Sequence, residues 1–370
     1  MCMPLLRHRS PPSSKSPCKT TAARALRGRR AFAILPPNEN SEGRIMIKRR
    51  GVLAGAAGWT IVGASSVRAQ AWPSQPIRLV VPYAAGGSTD TAARIVAEKL
   101  SGMLGQQVIV ENKGGGNTII GMDVVAKAKP DGNTLLLGAA TMATNVALGM
   151  KQPFDPLKDF QMISTLVDIP DLLAIDGKAL PAKNYAEFAE WVNKQPQRVR
   201  YATSGMGNQP HLWGELFRTR NKLNLESVSY KGAADALRDV MGGHVPIMID
   251  VVLPTGTHVA AGRLTGIAVA SPERSAVCPD VPTVAELGMK DLESAAFFGL
   301  VGPAGLPAPI VEKLNALCLQ TLKDPAVKKR FAELGFFTTG STPQAYLDRV
   351  KFETERWTKV VKENNIKVEG

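Results

Sequence analysis

Cysteine is scarce in this 370-residue chain: there are four, and Cys2 and Cys18 fall within the first 45 residues. The remaining two, Cys278 and Cys318, are too few for a disulfide framework and lack the spacing of a zinc site. Cys318 shares the apolar stripe of an expected helix with Val311 and Leu314, where a free buried thiol is commoner than a bridge to Cys278. Histidine is also sparse. Beyond His8 only His211, His244 and His258 occur, and they form no ligand motif. His211 and Glu215 lie four apart on an expected helix face and read as a solvated surface pair rather than a metal site. After residue 71 no stretch has the roughly 18 uncharged apolar residues of a membrane helix. Acidic residues are what the front end lacks: residues 1–71 hold thirteen Lys or Arg against Glu39 and Glu42 alone. The following 299 residues hold 32 basic and 30 acidic ones, so the net charge of +13 belongs to the front end. A nearly neutral body gives no reason for a nucleic-acid or anionic-membrane partner. Its length suits two domains better than one core.

The front end reads as an address. Met46-Ile-Lys-Arg-Arg50 is a basic start, Gly51 to Gly63 carries no charge, and Ala64 to Ala71 ends in a small-x-small pattern. That is the build of a secretory signal peptide over residues 46–71, cleaved near Ala69 or Ala71. Arg49-Arg50 followed by Leu53 also fits a twin-arginine signal, so the export route stays open. Residues 1–45, with Ser10-Pro-Pro-Ser13 and Arg27 to Arg30, read as a disordered or upstream segment before the start at Met46.

From Pro76 onward short β-rich runs alternate with helical periodicity, the pattern of parallel α/β units. Strands are expected at 77–81, 108–111, 134–137, 172–175, 199–203, 225–228, 245–252 and 264–270. Helices are expected at 90–104, 119–128, 185–194, 211–222, 233–241, 309–322, 325–334 and 343–364. No fixed repeat is visible. The turn-rich stretch Cys278 to Leu292 separates the alternating region from a helix-rich tail, as in a chain that leaves one domain and returns to it.

The most informative segment is Pro82-Tyr-Ala-Ala-Gly-Gly-Ser-Thr-Asp90, between the first strand and its helix. Gly86 and Gly87 open turn geometries closed to other residues, and Ser88 or Asp90 can cap the helix. Several N–H groups then converge at a positive helix end, which is an anion site without a lysine. A plain glycine turn is the competing reading. The segment lacks the Gly-Lys-Ser/Thr ending of a phosphate loop, and its glycines are adjacent rather than spaced as in a dinucleotide fingerprint. A second candidate, Thr203-Ser-Gly-Met-Gly-Asn-Gln-Pro-His211, also follows a strand and opens a helix. Ser204 with His211 invites a hydrolase reading, but no G-x-S-x-G elbow surrounds the serine. Gly114-Gly-Gly-Asn117 is a third loop with a plain turn as its alternative, and Pro130-Asp-Gly-Asn133 is a turn. Asp250 ends a strand at a sheet edge, where it either binds ligand or caps the next helix.

An ordered set of motifs carries a resemblance. Pro82 to Asp90 with Ala93-Arg94, Val110 to Lys113, Lys129 to Gly132 with Thr134 to Gly138, and Phe154 to Phe160 come first. Tyr230 to Ala233, Pro279 to Gly288 and Gly302 to Pro307 follow in the same order. From about Trp72 to the C-terminus the chain resembles the Bug-type substrate-binding proteins of tripartite tricarboxylate transporters. The resemblance implies a two-lobed α/β periplasmic binding protein of type II topology, with a ligand cleft between lobes. It further implies small carboxylates held by backbone N–H groups, hydroxyls and ordered waters. Carried over position by position, the ligand-binding residues would be Tyr83, Ala84, Ala85, Gly86, Gly87, Ser88 and Asp90, then Ala140 and Thr141 after the third strand. The opposing lobe would add Ser204, Gly205, Asn208 and Asp250. Lys113-Gly-Gly-Gly-Asn117, Phe297-Phe298-Gly299 and Met206 depart from the usual family residues and border the cleft.

The reading is an exported solute receptor that binds a small carboxylate for uptake by a tripartite tricarboxylate-type transporter. Lobe one would comprise residues 72–172 and 296–370, and lobe two residues 173–295. No cofactor, metal or catalytic residue is expected, and the partners would be the ligand and the transporter's permease subunits, with the receptor a monomer. The rival is a periplasmic enzyme acting on a carboxylate in the same cleft, favoured if Ser204, His211 and Asp250 converge. A docking protein comes third and would show large exposed apolar patches.

Overall fold

The computed structural model describes residues 72–367. The expected signal peptide and upstream segment lie outside these residues. Ten strands and ten helices follow in chain order: β1 Ile77–Val81, α1 Ser88–Leu104, β2 Val108–Asn112, α2 Ile119–Ala126, β3 Thr134–Ala139, α3 Thr141–Ala147 and β4 Phe160–Ile175. Then come α4 Tyr185–Lys194, β5 Val199–Thr203, α5 Gln209–Arg220, β6 Leu225–Ser229, α6 Ala233–Met241, β7 Ile247–Val251, α7 Val252–Ala260 and β8 Thr265–Val269. β9 Ala295–Pro303, α8 Ala308–Lys323, α9 Pro325–Glu333, β10 Phe337–Thr338 and α10 Pro343–Glu363 complete the described chain.

The strands form one sheet in the order β2-β1-β3-β9-β4-β7-β5-β6, with β8 and β10 also on β4. Pairing is parallel for β1 with β2 and β3, and for β5 with β6 and β7. It is antiparallel wherever β4 or β9 takes part. The expected parallel α/β units are present in both halves, joined by antiparallel strands into a mixed sheet. The 16-residue β4 is the reason. Its first part, Phe160 to Pro170, pairs with β9, and its end, Asp171 to Ile175, pairs with β7. One strand thus belongs to two half-sheets, and the molecule has the two-lobed α/β architecture.

Each half-sheet is covered on both faces, which is what makes its strands read as continuous apolar runs. Ile77, Leu79 and Val81 of β1 face α1 and α8, whose Ile95, Val96, Leu100, Leu314 and Cys318 are fully buried with them. Val80 and Leu136 face the other way, toward Met122 of α2, Met142 of α3 and Tyr346 of α10. In the second half, Tyr201, Ile247 and Ile249 pack on Phe188, Trp213 and Phe217. Ala202 and Met248 pack on Leu237 and Val240. A fully buried Leu or Ile contributes roughly 1.5–3 kcal/mol, so these four layers dominate the stability. α10 joins both halves: Tyr346 and Val350 sit in one core, and Trp357 and Val360 in another.

Expected elements recur within a few residues, and the structure adds five: β9, the first part of β4, α3, α7 and the two-residue β10. β9 carries Gly299, Gly302 and Pro303, residues that lower strand propensity. A Cβ on Gly299 would lie 2.5 Å from the Tyr346 ring, so that glycine admits a close approach instead of marking a turn. The first part of β4 is interrupted by Asp168, Pro170 and Asp171. The two short helices α3 and α7 follow their strands with almost no loop. Cys278 and Cys318 are free and buried.

Candidate functional site

Register alone shows where the two half-sheets meet. The end of β3, Ala139, pairs with Phe298 of β9, which in turn pairs with Val167 of β4. From the opposite direction, Val251 at the end of β7 pairs with Asp171 of β4. Both sets of parallel strands therefore point their carboxyl ends at the same five-residue stretch of β4, Val167 to Asp171, roughly 13 Å long. In open α/β sheets that edge is where ligands bind.

On the first edge, the loop after β1 leaves Ala84, Ala85, Gly86 and Gly87 exposed, with Tyr83 and Ser88 half-buried. Gly86 holds φ +89°, a conformation that glycine alone adopts easily. Gly87 does not: it is the N-cap of α1 at φ −84°, with no atom closer than 4.0 Å to where a Cβ would stand. Neither Ser88 nor Asp90 caps α1 through its side chain. Asp90 does something else. Its Oδ2 accepts from the Gly86 N–H at 3.0 Å and from Arg94 Nε at 3.0 Å, bracing the loop from inside the helix. Burial works to raise the Asp90 carboxyl, but Arg94 and the Gly86 N–H more than reverse it, holding it below the ordinary value. The Gly86 N–H is thus engaged, while first-turn N–H groups such as those of Ser88 and Thr89 have no carbonyl one turn back.

The loop after β2, the third candidate loop, with a plain turn as its alternative, is part of the same edge. Gly115, Gly116, Asn117 and Thr118 run consecutively at φ +127°, +55°, +49° and +76°. For the β-branched, buried Thr118 that is a strained geometry, of order 1–3 kcal/mol. Side-chain bonds hold it: Thr118 Oγ1 donates to Thr141 Oγ1 at 2.8 Å, and Asn117 Nδ2 to Asn145 Oδ1 at 2.6 Å. Backbones also touch, since a Cβ on Gly114 would lie 3.1 Å from the Ala84 nitrogen. Between the loops is a cavity of about 580 Å³ lined by Pro82 to Ala85, Asn112, Gly114, Gly115, Asn117 and Thr118. Ala140 and Thr141 lie behind it, 6% and 5% exposed. Burial raises the Tyr83 phenol and the Thr141 hydroxyl partly offsets that.

On the second edge, Ser204, Gly205 and Asn208 are half-buried and Met206 is exposed. The Asn208 side chain serves its own loop: Oδ1 accepts from the His211 N–H at 3.0 Å and Nδ2 donates to Ser204 Oγ at 3.0 Å. Asp250 is buried at the end of β7; its Oδ1 accepts from the Val251 N–H at 2.7 Å, and Oδ2 has no partner. It does not cap the next helix, whose N-cap is Val251. Burial pushes the Asp250 carboxyl up to about 6, with Ser204 and the Val251 N–H working against that rise.

Residues 92–366 match the family described as the tripartite tricarboxylate transporter family receptor, TctC. The chain belongs to that family. An Agrobacterium vitis protein encoded in the TAR-I ttuE-ttuC' intergenic region is 39% identical over 295 residues, 79% of this chain and 85% of its own. An R. palustris protein solved with adipate is 33% identical at a TM-score of 0.73, covering 80% of this chain and 99% of its own. MatC from Rhodopseudomonas palustris, solved with malate, is 33% identical at a TM-score of 0.68, covering 78% and 99%. The protein is a periplasmic solute receptor of the TctC type.

In this receptor His211 is no partner for Ser204. Its Nδ1 accepts from the Gly207 N–H at 3.0 Å, and Nε2 meets Ser227 Oγ at 3.1 Å. Both ring nitrogens are occupied away from Asp250, so the three residues of the hydrolase reading do not form a relay. The surface-pair reading of His211 and Glu215 is also corrected. They are 4% and 7% exposed, and Glu215 accepts from Tyr201 and Arg218, not from the histidine. Among the described residues no group of three or more His, Cys, Asp or Glu is placed to hold a metal. The large exposed hydrophobics described, including Ile120 of α2, Met206 of the loop after β5 and Phe352 of α10, each stand on a different element or loop. At the meeting of the half-sheets Asp171 is fully buried, and Gln209 donates to it at 3.2 Å. Burial pushes its carboxyl up to about 7, against the pull of Ser294 and Gln209.

Proposed function

We propose that the receptor captures a small carboxylate between the two edges, for handover to the permease subunits of a tripartite tricarboxylate transporter. The observation that carries the reading is the first edge. Exposed Ala84–Gly87 lead into the N-terminus of α1, and the guanidinium of Arg94 on that helix is paired with Asp90. A carboxylate there would bond to N–H groups and meet a positive helix end, without a side-chain cation. Tyr83, Ala84, Ala85, Gly86, Gly87 and Ser88 would form the first subsite, with Asp90, Ala140 and Thr141 as its support. Gly114, Asn117 and Thr118 join them on this reading. Ser204, Gly205, Asn208 and Asp250 would form the second subsite. Adipate and malate in the two R. palustris proteins are both carboxylates, which supports the ligand class.

Lobe one would be residues 72–172 with 296–370, and lobe two 173–295. Closure would bend β4 near Asp171 and the connection through Ser294, with α10 as a further link across the lobes. The monomeric receptor would be cut after Ala69 or Ala71, to begin at Gln70 or Trp72. N-terminal sequencing of the natural protein tests the cut, and a mature chain that retains residues 1–45 refutes it. Calorimetry and thermal shift with mono-, di- and tricarboxylates test the ligand class. A ligand at a hundredfold excess over its Kd stabilises by about 2.7 kcal/mol. Shifts produced by simple cations or nucleotides alone would overturn the proposal.

A further inference from the structure

The loop that carries the proposed second subsite, Ser204 to Asn208, is gripped twice by one buried residue. His211 is 4% exposed, and its Nδ1 accepts from the buried Gly207 N–H at 3.0 Å. An imidazole nitrogen that accepts carries no proton, so the single proton of the neutral ring is on Nε2, which donates to Ser227 Oγ of β6 at 3.1 Å. The His211 N–H in turn donates to Asn208 Oδ1 at 3.0 Å, and Asn208 Nδ2 donates to Ser204 Oγ at 3.0 Å. Gly207 stands at φ +74°, a left-handed conformation, and the ring nitrogen satisfies the N–H that this conformation buries.

A second proton on this ring has one place to go. It would sit on Nδ1 and face the Gly207 N–H, two donors set against each other at a 3.0 Å separation. The loop would then have to turn Gly207 away, and the neighbouring groups of the second subsite with it. Burial disfavours the imidazolium, and Glu215 one turn further along α5 favours it; burial is the larger influence and holds the histidine below its ordinary value. Glu215 is itself committed to the Tyr201 hydroxyl of β5 at 2.7 Å and to Arg218 at 2.8 Å. β6 adds Glu226, which is exposed and lies 3.8 Å from Arg200. β7 adds Asp250, to which neither ring nitrogen is bonded. Arg198 ahead of β5 and Lys367 beyond α10 border a cavity of about 290 Å³ that the histidine also lines, which gives the buried ring a route to solvent protons.

From this geometry we infer that His211 is a positioning residue for the second ligand loop: as neutral imidazole it holds the loop in its binding shape, as imidazolium it releases it, and ligand capture weakens in acid. The inference rests on the proposed carboxylate cleft and adds a pH control to it. In the released loop the ring returns to its ordinary value of 6.5, whereas the binding shape favours the unprotonated ring. Affinity is therefore full above about pH 7 and falls as pH drops below about 6.5, by no more than about tenfold per unit.

The first test is nuclear magnetic resonance of the ligand-free mature receptor, labelled in the histidine rings and the backbone, from about pH 8 down to about pH 5. The His211 ring should begin as the Nε2–H tautomer, and the amides of residues 205–208 should shift with the same midpoint as the ring. In His211→Asn, whose Oδ1 replaces the Nδ1 acceptor without titrating, the loop amides should lose that transition. The second test is calorimetry with whichever of acetate, malate, adipate and citrate binds most tightly at about pH 7.5. The natural receptor should bind that acid at least about threefold more weakly at about pH 5.5. His211→Leu, which leaves the Gly207 N–H without an acceptor, should weaken binding at least about tenfold at the higher pH, and His211→Asn should recover most of that loss while flattening the pH profile. Ionisation of the acid and of Asp250 acts on the natural and Asn proteins alike, so the difference between their profiles belongs to His211. If a variant does not fold, the amide titration of the natural receptor decides. Loop amides that ignore the His211 titration, or equal pH profiles in the natural receptor and His211→Asn, overturn the inference and leave the carboxylate cleft standing. Binding of none of the four acids overturns the cleft reading itself, and this inference with it.

Discussion

Asp171 offers a direct test of the electrostatics where the half-sheets meet. Its carboxyl is fully buried and pushed up to about 7 from an ordinary 3.8, with burial as the main cause. A raised acid favours the folded state below the unfolded value, and that advantage disappears as pH rises through the folded value. The window therefore runs from about pH 4 to about pH 7, where the folded chain holds a proton that the unfolded chain has released. At about 1.4 kcal/mol per unit, a shift of about three units corresponds to roughly 4 kcal/mol across the window. Between about pH 5 and about pH 8, the Asp171 share is roughly 3 kcal/mol, and the weaker shift at Asp250 adds in the same direction. Asp171→Asn keeps the shape and an acceptor for Gln209 but removes the titration. Urea unfolding of ligand-free receptor at the two pH values should show the variant losing roughly 3 kcal/mol less than the natural protein. If the two proteins lose the same amount, Asp171 is ionised throughout in the fold and the reasoning is wrong.

Other variants separate the parts of the first loop. Gly86→Val should weaken carboxylate binding at least tenfold and cost about 1 kcal/mol of stability, because valine resists φ +89°. Gly87→Ala, at φ −84° and with room for a Cβ, should unfold at the same denaturant concentration as the parent, within about 0.5 kcal/mol. Asp90→Ala should loosen the loop by removing the acceptor of the Gly86 N–H, and its affinity loss by calorimetry should exceed that of Arg94→Gln. Arg94 is more than half exposed, so its pair with Asp90 contributes little on its own. Gly121→Ala would drive a Cβ to 2.7 Å from the Lys113 carbonyl and 2.8 Å from Pro82 Cα, both backbone atoms. It should destabilise by about 1–3 kcal/mol and displace both first-edge loops, read as a lower unfolding midpoint together with lost binding.

Local pattern alone determined most elements of this protein. The five-residue runs of β1 and β5, the amphipathic spacing of α1 and the proline starts of α9 and α10 are decided within a few neighbours, and they recur in the structure with small end shifts. Charge distribution likewise separated the basic front end from a neutral body, and the ordered motifs pointed to the TctC receptors. The glycine loop after β1 was recognisable because backbone freedom and a following helix are sequence-local facts. Tertiary structure alone decided the rest. β4 is a strand through Asp168, Pro170 and Asp171 because two half-sheets pair with it, and no local preference favours that. Which glycine takes the positive φ, that Asp90 turns inward to Gly86, and that Asn117 and Thr118 are strained onto α3 depend on loops meeting after the chain has folded. The direction of His211 toward Ser227 is of the same kind. Spacing along the chain cannot encode them, because desolvation and hydrogen-bond geometry at the crevice act only between groups that the fold has already brought together.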